Sequence, residues 1–250
     1  MLPMIASLMM YNRPELEDAH NTYWALIRNH LADAGIESPA SLSQDDEEFS
    51  VWKHPALVLS QTCGMPYRLF LHGKVHLVGT PDFALDGCPP GYYNSAIIIH
   101  RDNRGSPLQA FANEVFAYNQ TISQSGYAAI LNHASAQGIT FTNPAQTHSH
   151  LLSAQAVAEK RAAIASIDAV TWRLIQRYES FVSELTVLDW TEPTPGLPYV
   201  TAITQNPTTV FNAVKAAIDE LPQAARERLG ITDLVDIPDE KYLSIPNPGA

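Results

Sequence analysis

The chain is poor in charge, and poorest in positive charge. Its 250 residues include 15 Lys and Arg against 26 Asp and Glu, giving a formal net charge of −11, and only 16% are charged at all. An average globular domain carries roughly 25%. The acidity therefore comes from scarce Lys and Arg, not from abundant carboxylates. Proteins that bind polyanions present a basic face, and no stretch of this chain supplies one. That argues against nucleic acid and anionic membrane surfaces as partners. Cysteine is nearly absent. Cys63 and Cys88 lack C-x-x-C spacing and join no Cys/His cluster, which argues against a zinc site or a dithiol redox motif. A single disulfide stays open, since both sit beside turn formers, but it needs an oxidising compartment. No apolar run approaches the ~18–20 residues of a membrane span, so no membrane insertion is expected. Met1 to Tyr11 lacks a basic segment and a small-residue cleavage site, so it reads as a buried strand rather than a signal peptide. The expected location is cytoplasmic if the sequence as given is complete, and periplasmic if a leader has been removed.

What is present is a large apolar complement, 46% of residues, patterned as alternating strands and helices. An apolar run over 4–11 precedes Asn12 and Pro14, which suit a helix N-cap and first turn. Leu16, Ala19, Tyr23, Leu26, Ile27, Leu31 and Ala34 then recur at helical spacing, and Gly35 fits the position after the helix end. The acidic run Asp45 to Glu48 reads as a solvated helix start. Strands are expected at 57–59, 75–78, 95–100, 115–118, 164–167, 185–188 and 199–203. Helices are expected at 125–134, 151–161 and 170–178, with one capped helix from Thr208 to Arg228 ending at Gly230. Alternation of this kind predicts an α/β fold with parallel sheets. Breaks near 101–107 and 190–198 suggest an outer lobe over 1–100, an inserted lobe over 101–198, and a return to the outer lobe over 199–250. Two lobes joined by two crossings predict a hinged cleft suited to ligand capture.

Three stretches carry candidate chemistry. Asn119-Gln-Thr-Ile-Ser-Gln-Ser-Gly-Tyr127 follows a strand and opens a helix. The first N–H groups of a helix lack internal partners and carry partial positive charge, Ser123 and Ser125 add hydroxyl donors, and Gly126 permits close approach. Such a turn can hold an oxyanion without any cationic residue; it also fits a plain Ser-capped helix. It lacks the G-x-S-x-G of a nucleophile elbow, and no G-K-[ST] is present for a phosphate-binding loop of the Walker type. Thr147-His-Ser-His150 precedes the next helix. His148 and His150 have metal-ligand spacing but no evident third ligand; Ser149 as a cap, or His150 as a second donor to an anion, are the other readings. In Ser166-Ile-Asp-Ala-Val-Thr-Trp172, Asp168 ends a buried strand, at the edge where ligands of open α/β sheets gather. It either caps the following helix or meets an amine or hydroxyl of the ligand. Ser125, His150 and Asp168 also match a hydrolase triad by type, though not in α/β-hydrolase chain order. Tyr11, Ser60-Gln61-Thr62-Cys-Gly64 and Gly91-Tyr-Tyr93-Asn-Ser95 lie at further strand ends, where core and turn roles compete with ligand contact.

Taken together, five stretches resemble the phosphate/phosphite/phosphonate-binding proteins, the solute receptors of phosphonate-type ABC importers. They are Leu57-Val-Leu-Ser-Gln-Thr-Cys-Gly-Met-Pro66, Gly91-Tyr-Tyr-Asn-Ser-Ala-Ile-Ile-Ile99, Ser123-Gln-Ser-Gly-Tyr127, Ser149-His150 with Ala156-Val-Ala158, and Ile167-Asp-Ala-Val-Thr-Trp172. The resemblance implies a type 2 periplasmic-binding-protein fold, a small anionic ligand of the phosphate or phosphonate class, and an ABC-transporter permease as partner. It implies no cofactor, no metal and no catalytic residue. It also implies ligand contacts by Tyr93, Ser123, Gln124, Ser125, Gly126, His150 and Asp168, to which the strand ends and the turn add Tyr11, Gln61, Thr62 and Tyr127 as candidates. The sequence departs from the receptors in lacking an export signal, in carrying Gln124 where they tend to have a small hydroxyl residue, and in placing His148 ahead of Ser149-His150. An enzyme on the same fold, a hydrolase or a biosynthetic enzyme acting on a phosphorylated small molecule, is the alternative.

Overall fold

The apolar run 95–100 is hydrophobic at consecutive positions because the strand it forms is covered on both faces. The computed structural model describes residues 3–249. Its strands are β1 (Ile5–Ser7), β2 (Leu57–Gln61), β3 (Val75–Asp82), β4 (Tyr92–Tyr93), β5 (Ser95–His100), β6 (Val115–Tyr118), β7 (Asn143–Gln146), β8 (Ile164–Asp168), β9 (Leu185–Trp190), β10 (Thr194–Pro195), β11 (Tyr199–Ala202) and β12 (Asp233–Val235). The chain divides into two units. One comprises residues up to Tyr92 with Pro195–Ser244, the other Tyr93–Thr194 with the stretch from Ile245 onward. The two passages of the chain pair as the short ribbon β10–β4.

The first unit is built on a sheet in the order β1-β2-β11-β3-β12. The helix Glu17–Asp33 buries Ala19, Tyr23, Ile27 and Leu31 of the predicted stripe and Trp24 beside it, whereas Leu26 is half-buried and Ala34 exposed; Gly35 follows in the left-handed region at φ 76°. The start of the chain differs from expectation. The strand stops at Ser7, and Met9–Tyr11 forms a 3-10 turn. Arg13, not Asn12, takes the cap position ahead of Pro14. The predicted helix 208–228 is two helices, Pro207–Glu220 and Gln223–Leu229, separated at Pro222. Proline lacks an N–H and its ring clashes with the carbonyl four residues back, which outweighs the continuing apolar period.

The second unit is built on a sheet in the order β7-β6-β8-β5-β9. On one face of β5, Ile97 and Ile99 pack with Leu108, Phe111, Phe116, Ile130 and Ile164. On the other, Ala96 and Ile98 pack with Ala117, Val157, Ala165, Ile167 and Trp172. The inserted unit thus begins near residue 93 and not at 101, because β5 pairs with β8 and β9. The turn-rich stretch 102–107 is a chain reversal inside this unit, with a 3-10 turn at Arg101–Asn103. Both sheets are mixed where parallel ones were predicted. β1 with β2, and β6 with β7 and β8, are parallel. β5 and β11 run antiparallel to their neighbours. These two strands enter by a passage between units and not by a helical crossover, so strand–helix alternation does not encode their direction. Cys63 and Cys88 form no disulfide, and among the described residues no helix is long and apolar enough to cross a membrane.

Ile98→Ala and Ile99→Ala should each lower the unfolding free energy by about 2–5 kcal/mol in denaturant titrations. Ile203, 57% exposed, should tolerate the same change within about 0.5 kcal/mol.

Candidate functional site

Beyond the end of β6 the chain turns into a helix through Asn119–Ser123. Ser123 holds extended backbone geometry and caps that helix, its Oγ accepting from the Gly126 N–H at 3.0 Å. Gln124–Ala128 winds as a π turn, closed by Ala128 N–H to Ser123 O at 3.0 Å, and continues into the α-helix Ala129–Ala136. Wide turns of this type are frequent at functional sites, and the opening N–H groups, that of Ser125 among them, lie outside the helical ladder.

A second helix start is tied to the same strand end. Thr147 N–H donates to Tyr118 O at 2.8 Å and His148 N–H to Asn119 O at 3.1 Å. His148 sits in the left-handed region at φ 71°, which reverses the chain so that Ser149 can cap the helix His150–Ala158 by accepting from Leu152 N–H at 3.1 Å. The reversal delivers His150 to the first turn, where its Nε2 lies 3.0 Å from Ser125 Oγ. The third contribution is β8. Fully buried Ser166 donates its hydroxyl to Ser125 O at 2.7 Å. Asp168, two residues on and so on the same face of the strand, is 1% exposed and caps the helix Ala169–Tyr178 by accepting from Thr171 N–H at 2.9 Å.

Gly126 is required by space. A Cβ there would lie 2.0 Å from Asn119 Oδ1 and 2.9 Å from His150 Cε1, so the side chains of Asn119 and His150 close against its bare backbone. Burial pushes the His150 imidazole down from 6.5 to about 4, only partly offset by the Ser166 backbone. His150 is therefore neutral at pH 7, and the Ser123–Gly126 turn with His150 forms a group of donors without a formal positive charge.

The structure thus brings Ser123, Ser125, Gly126 and His150 together, with Gln124 buried in the same turn and Asp168 on the strand behind it. Half-buried Tyr127 packs its ring against Tyr118 at 5.0 Å, over the edge of the core. Tyr93 is buried in β4. Tyr11, Gln61 and Thr62 belong to the first unit. There Tyr11 meets Phe83 edge to face at 5.3 Å, Gln61 donates its amide to Leu197 O at 3.1 Å, and Thr62 N–H donates to Pro198 O at 3.1 Å. The triad is incomplete: Asp168 caps its own helix, and His150 Nδ1, buried, makes no hydrogen bond that would orient the ring as a base. Among the described residues no group of three or more His, Cys, Asp or Glu could hold a metal ion. Asn119 and Ser166 escaped the sequence reading as site residues. A serine inside an otherwise apolar strand, and an amide at a strand end ahead of the Ser/Gly turn, were the available signals.

The family described as "ABC transporter, phosphonate, periplasmic substrate-binding protein" matches residues 59–242, well over half of the chain. No curated protein sequence matches. Among solved structures, a Xanthomonas citri protein bound to chloride superposes with a TM-score of 0.71 at 13% identity, covering 96% of this chain and 94% of that one. A binding-protein component of the ABC phosphonate transporter of Pseudomonas aeruginosa gives 0.69 at 14% identity, covering 97% and 84%. PhnD1 of Prochlorococcus marinus, in complex with methylphosphonate, gives 0.70 at 12% identity, covering 96% and 93%. At these identities the likeness establishes the fold, that of the periplasmic binding proteins.

Gly126→Ala should cost about 1–3 kcal/mol of stability by overpacking, and Asn119→Ala in the same chain should recover part of that loss in a double-mutant cycle. Stability should also fall in acid. His150, and His20 of the first unit, likewise lowered by burial to about 4, take up protons near 6.5 when unfolded but only near 4 when folded. The unfolded state therefore binds more protons across that window. Stability is full above it and declines as pH falls through it, by up to about 1.4 kcal/mol per pH unit for each histidine. Denaturant titrations from pH 7 to 4 should show this slope, reduced by one histidine's share in His150→Gln.

Proposed function

The chain belongs to the periplasmic substrate-binding proteins of phosphonate ABC transporters, and from that premise we propose that the Ser123–Gly126 turn of its second unit holds a phosphate or phosphonate oxyanion. Members of this family bind solutes and are not enzymes, so the hydrolase and biosynthetic readings give way. The family works with ABC-transporter components in the periplasm, and a cognate permease is the proposed partner of this chain. The observation that carries the site assignment is the Ser125 hydroxyl, 3.0 Å from a neutral His150 at the opening of a capped helix.

Each oxygen of a phosphonate needs donors when it leaves water. Helix-start N–H groups and the Ser125 hydroxyl supply them in this reading, with His150 behind Ser125 and Ser166 fixing the backbone of the turn. Hydrogen bonds to a charged group contribute about 1.5–3 kcal/mol each, and donors held in place need no reorganisation when the anion arrives. Gln124, buried in the same turn, stands where the receptors tend to carry a small hydroxyl residue. Tyr93 and Asp168 are assigned to the remainder of the ligand. A carboxylate beside an anion is repulsive, so Asp168 favours ligands that also carry an amine or hydroxyl.

In a thermal-shift panel of phosphate, phosphite, methylphosphonate and 2-aminoethylphosphonate, at least one ligand should stabilise the protein, by about 2.7 kcal/mol at 100 times its Kd. Silence across the panel would refute the assignment. Ser125→Ala should weaken any hit by about ten- to a hundredfold, the loss of one hydrogen bond to a charged group. Asp168→Asn should selectively weaken 2-aminoethylphosphonate, and equal effects on all ligands would remove Asp168 from the amine contact.

A further inference from the structure

A phosphonate group presents strong acceptor oxygens, and each one left unpaired on leaving water costs affinity. The donors assigned above are the opening N–H groups of a helix and one serine hydroxyl, all C-terminal to Ser123. Asn119 brings a further polar group to the same turn. It stands one residue past the end of β6, and its backbone carbonyl accepts from the His148 N–H at 3.1 Å. Its main chain is thus fixed by the segment that delivers His150. Its side chain reaches Gly126, where a Cβ would lie 2.0 Å from Asn119 Oδ1, 2.9 Å from Asn119 Cγ and 2.9 Å from His150 Cε1. Carboxamide, bare glycine backbone and imidazole therefore share one contact, and the same imidazole lies 3.0 Å, through Nε2, from Ser125 Oγ.

The two ends of that carboxamide meet different surroundings. Oδ1 is buried and accepts from no N–H or O–H. It lies along a Gly126 Cα–H bond, a weak donor that suits a carbonyl oxygen. Reversing the amide would bury N–H donors against carbon, which costs more. Nδ2 is therefore the accessible end, and among the described residues it donates to no protein group. An amide nitrogen offers protons and no lone pair, so it complements an acceptor only. Resting on the oxyanion assignment above, we propose that Asn119 Nδ2 donates to an oxygen of the bound phosphate or phosphonate, which makes Asn119 a further ligand-binding residue of this site. The Gly126 contact fixes which atom Asn119 offers. The anion is then held from the end of β6 as well as from the helix opening. Because Nδ2 rejects a methyl or an ammonium group, Asn119 also sets which end of an aminoalkylphosphonate faces the turn.

Two substitutions separate contact from support. Asn119→Leu keeps the branched shape and the backbone anchor but removes the donor. Asn119→Asp keeps an oxygen against Gly126 and replaces the donor with a negative charge. In calorimetric titrations with methylphosphonate, Asn119→Leu should raise Kd by about ten- to a hundredfold, and Asn119→Asp by more, through like-charge repulsion. A Kd for Asn119→Leu within about threefold of wild type overturns the proposal. The wild-type protein gives a second readout that stands even if a variant fails to fold. Its Asn119 side-chain N–H resonances, assigned by through-bond correlation to the Asn119 backbone, should respond as methylphosphonate is added. One of the pair should move downfield and saturate with the backbone amides of Ser125 and Gly126. If the pair stays unmoved while those backbone amides saturate, Asn119 only supports the turn; the proposal falls and the oxyanion site stands. Absence of binding by methylphosphonate, phosphate and phosphite alike overturns both.

Discussion

The site rests on one hydrogen bond, between Ser125 and His150, residues 25 positions apart that no local preference would bring together. β6 sets the geometry. Its end launches the Ser123–Gly126 turn, while the carbonyls of Tyr118 and Asn119 anchor Thr147 and His148 and so place His150. β8 supplies the third restraint through Ser166 and the Ser125 carbonyl. Gly126 then admits Asn119 and the His150 ring against bare backbone. Removing any one of these restraints loosens the donors, and positioned donors are what separate an anion site from a row of hydroxyls.

The shortage of Lys and Arg takes on a specific meaning here. Net charge governs long-range attraction, and an acidic exterior opposes an approaching anion over a Debye length of roughly 8–10 Å at moderate salt. Affinity inside a site is a separate quantity, set by local dipoles and hydroxyls. A fixed cation would attract many anions in all states. Neutral donors tie affinity to geometry, because a hydrogen bond acts only at short range and good alignment.

Much of the fold was legible in the residues. The run Ser95–His100 could be read as a strand covered on both faces, and the 17–33 stripe as a helix, because burial imposes the period on the sequence. Asp168 and Ser149 were legible as caps for the same local reason. Strand direction was not, since β5 and β11 arrive through passages between units and nothing in their own residues records orientation. The boundary at 101 failed because turn residues mark reversals whether or not a unit ends there. The break at Pro222 is hidden in the pattern by an apolar period that runs on past it. At the candidate site, residue types singled out Ser123, Ser125, Gly126 and His150, which the structure places side by side, whereas Asn119 and Ser166 join them by tertiary contact, which a linear pattern does not display.

The most direct measurement is a set of amide proton–nitrogen correlation spectra as methylphosphonate is added. The N–H resonances of Ser125, Gly126 and His150 should move progressively and saturate together, the largest changes falling at the opening of the 124–136 helix, as donors tighten on an oxyanion. Saturating shifts confined to other parts of the chain, with these amides unmoved, would contradict the assignment of the anion to this turn.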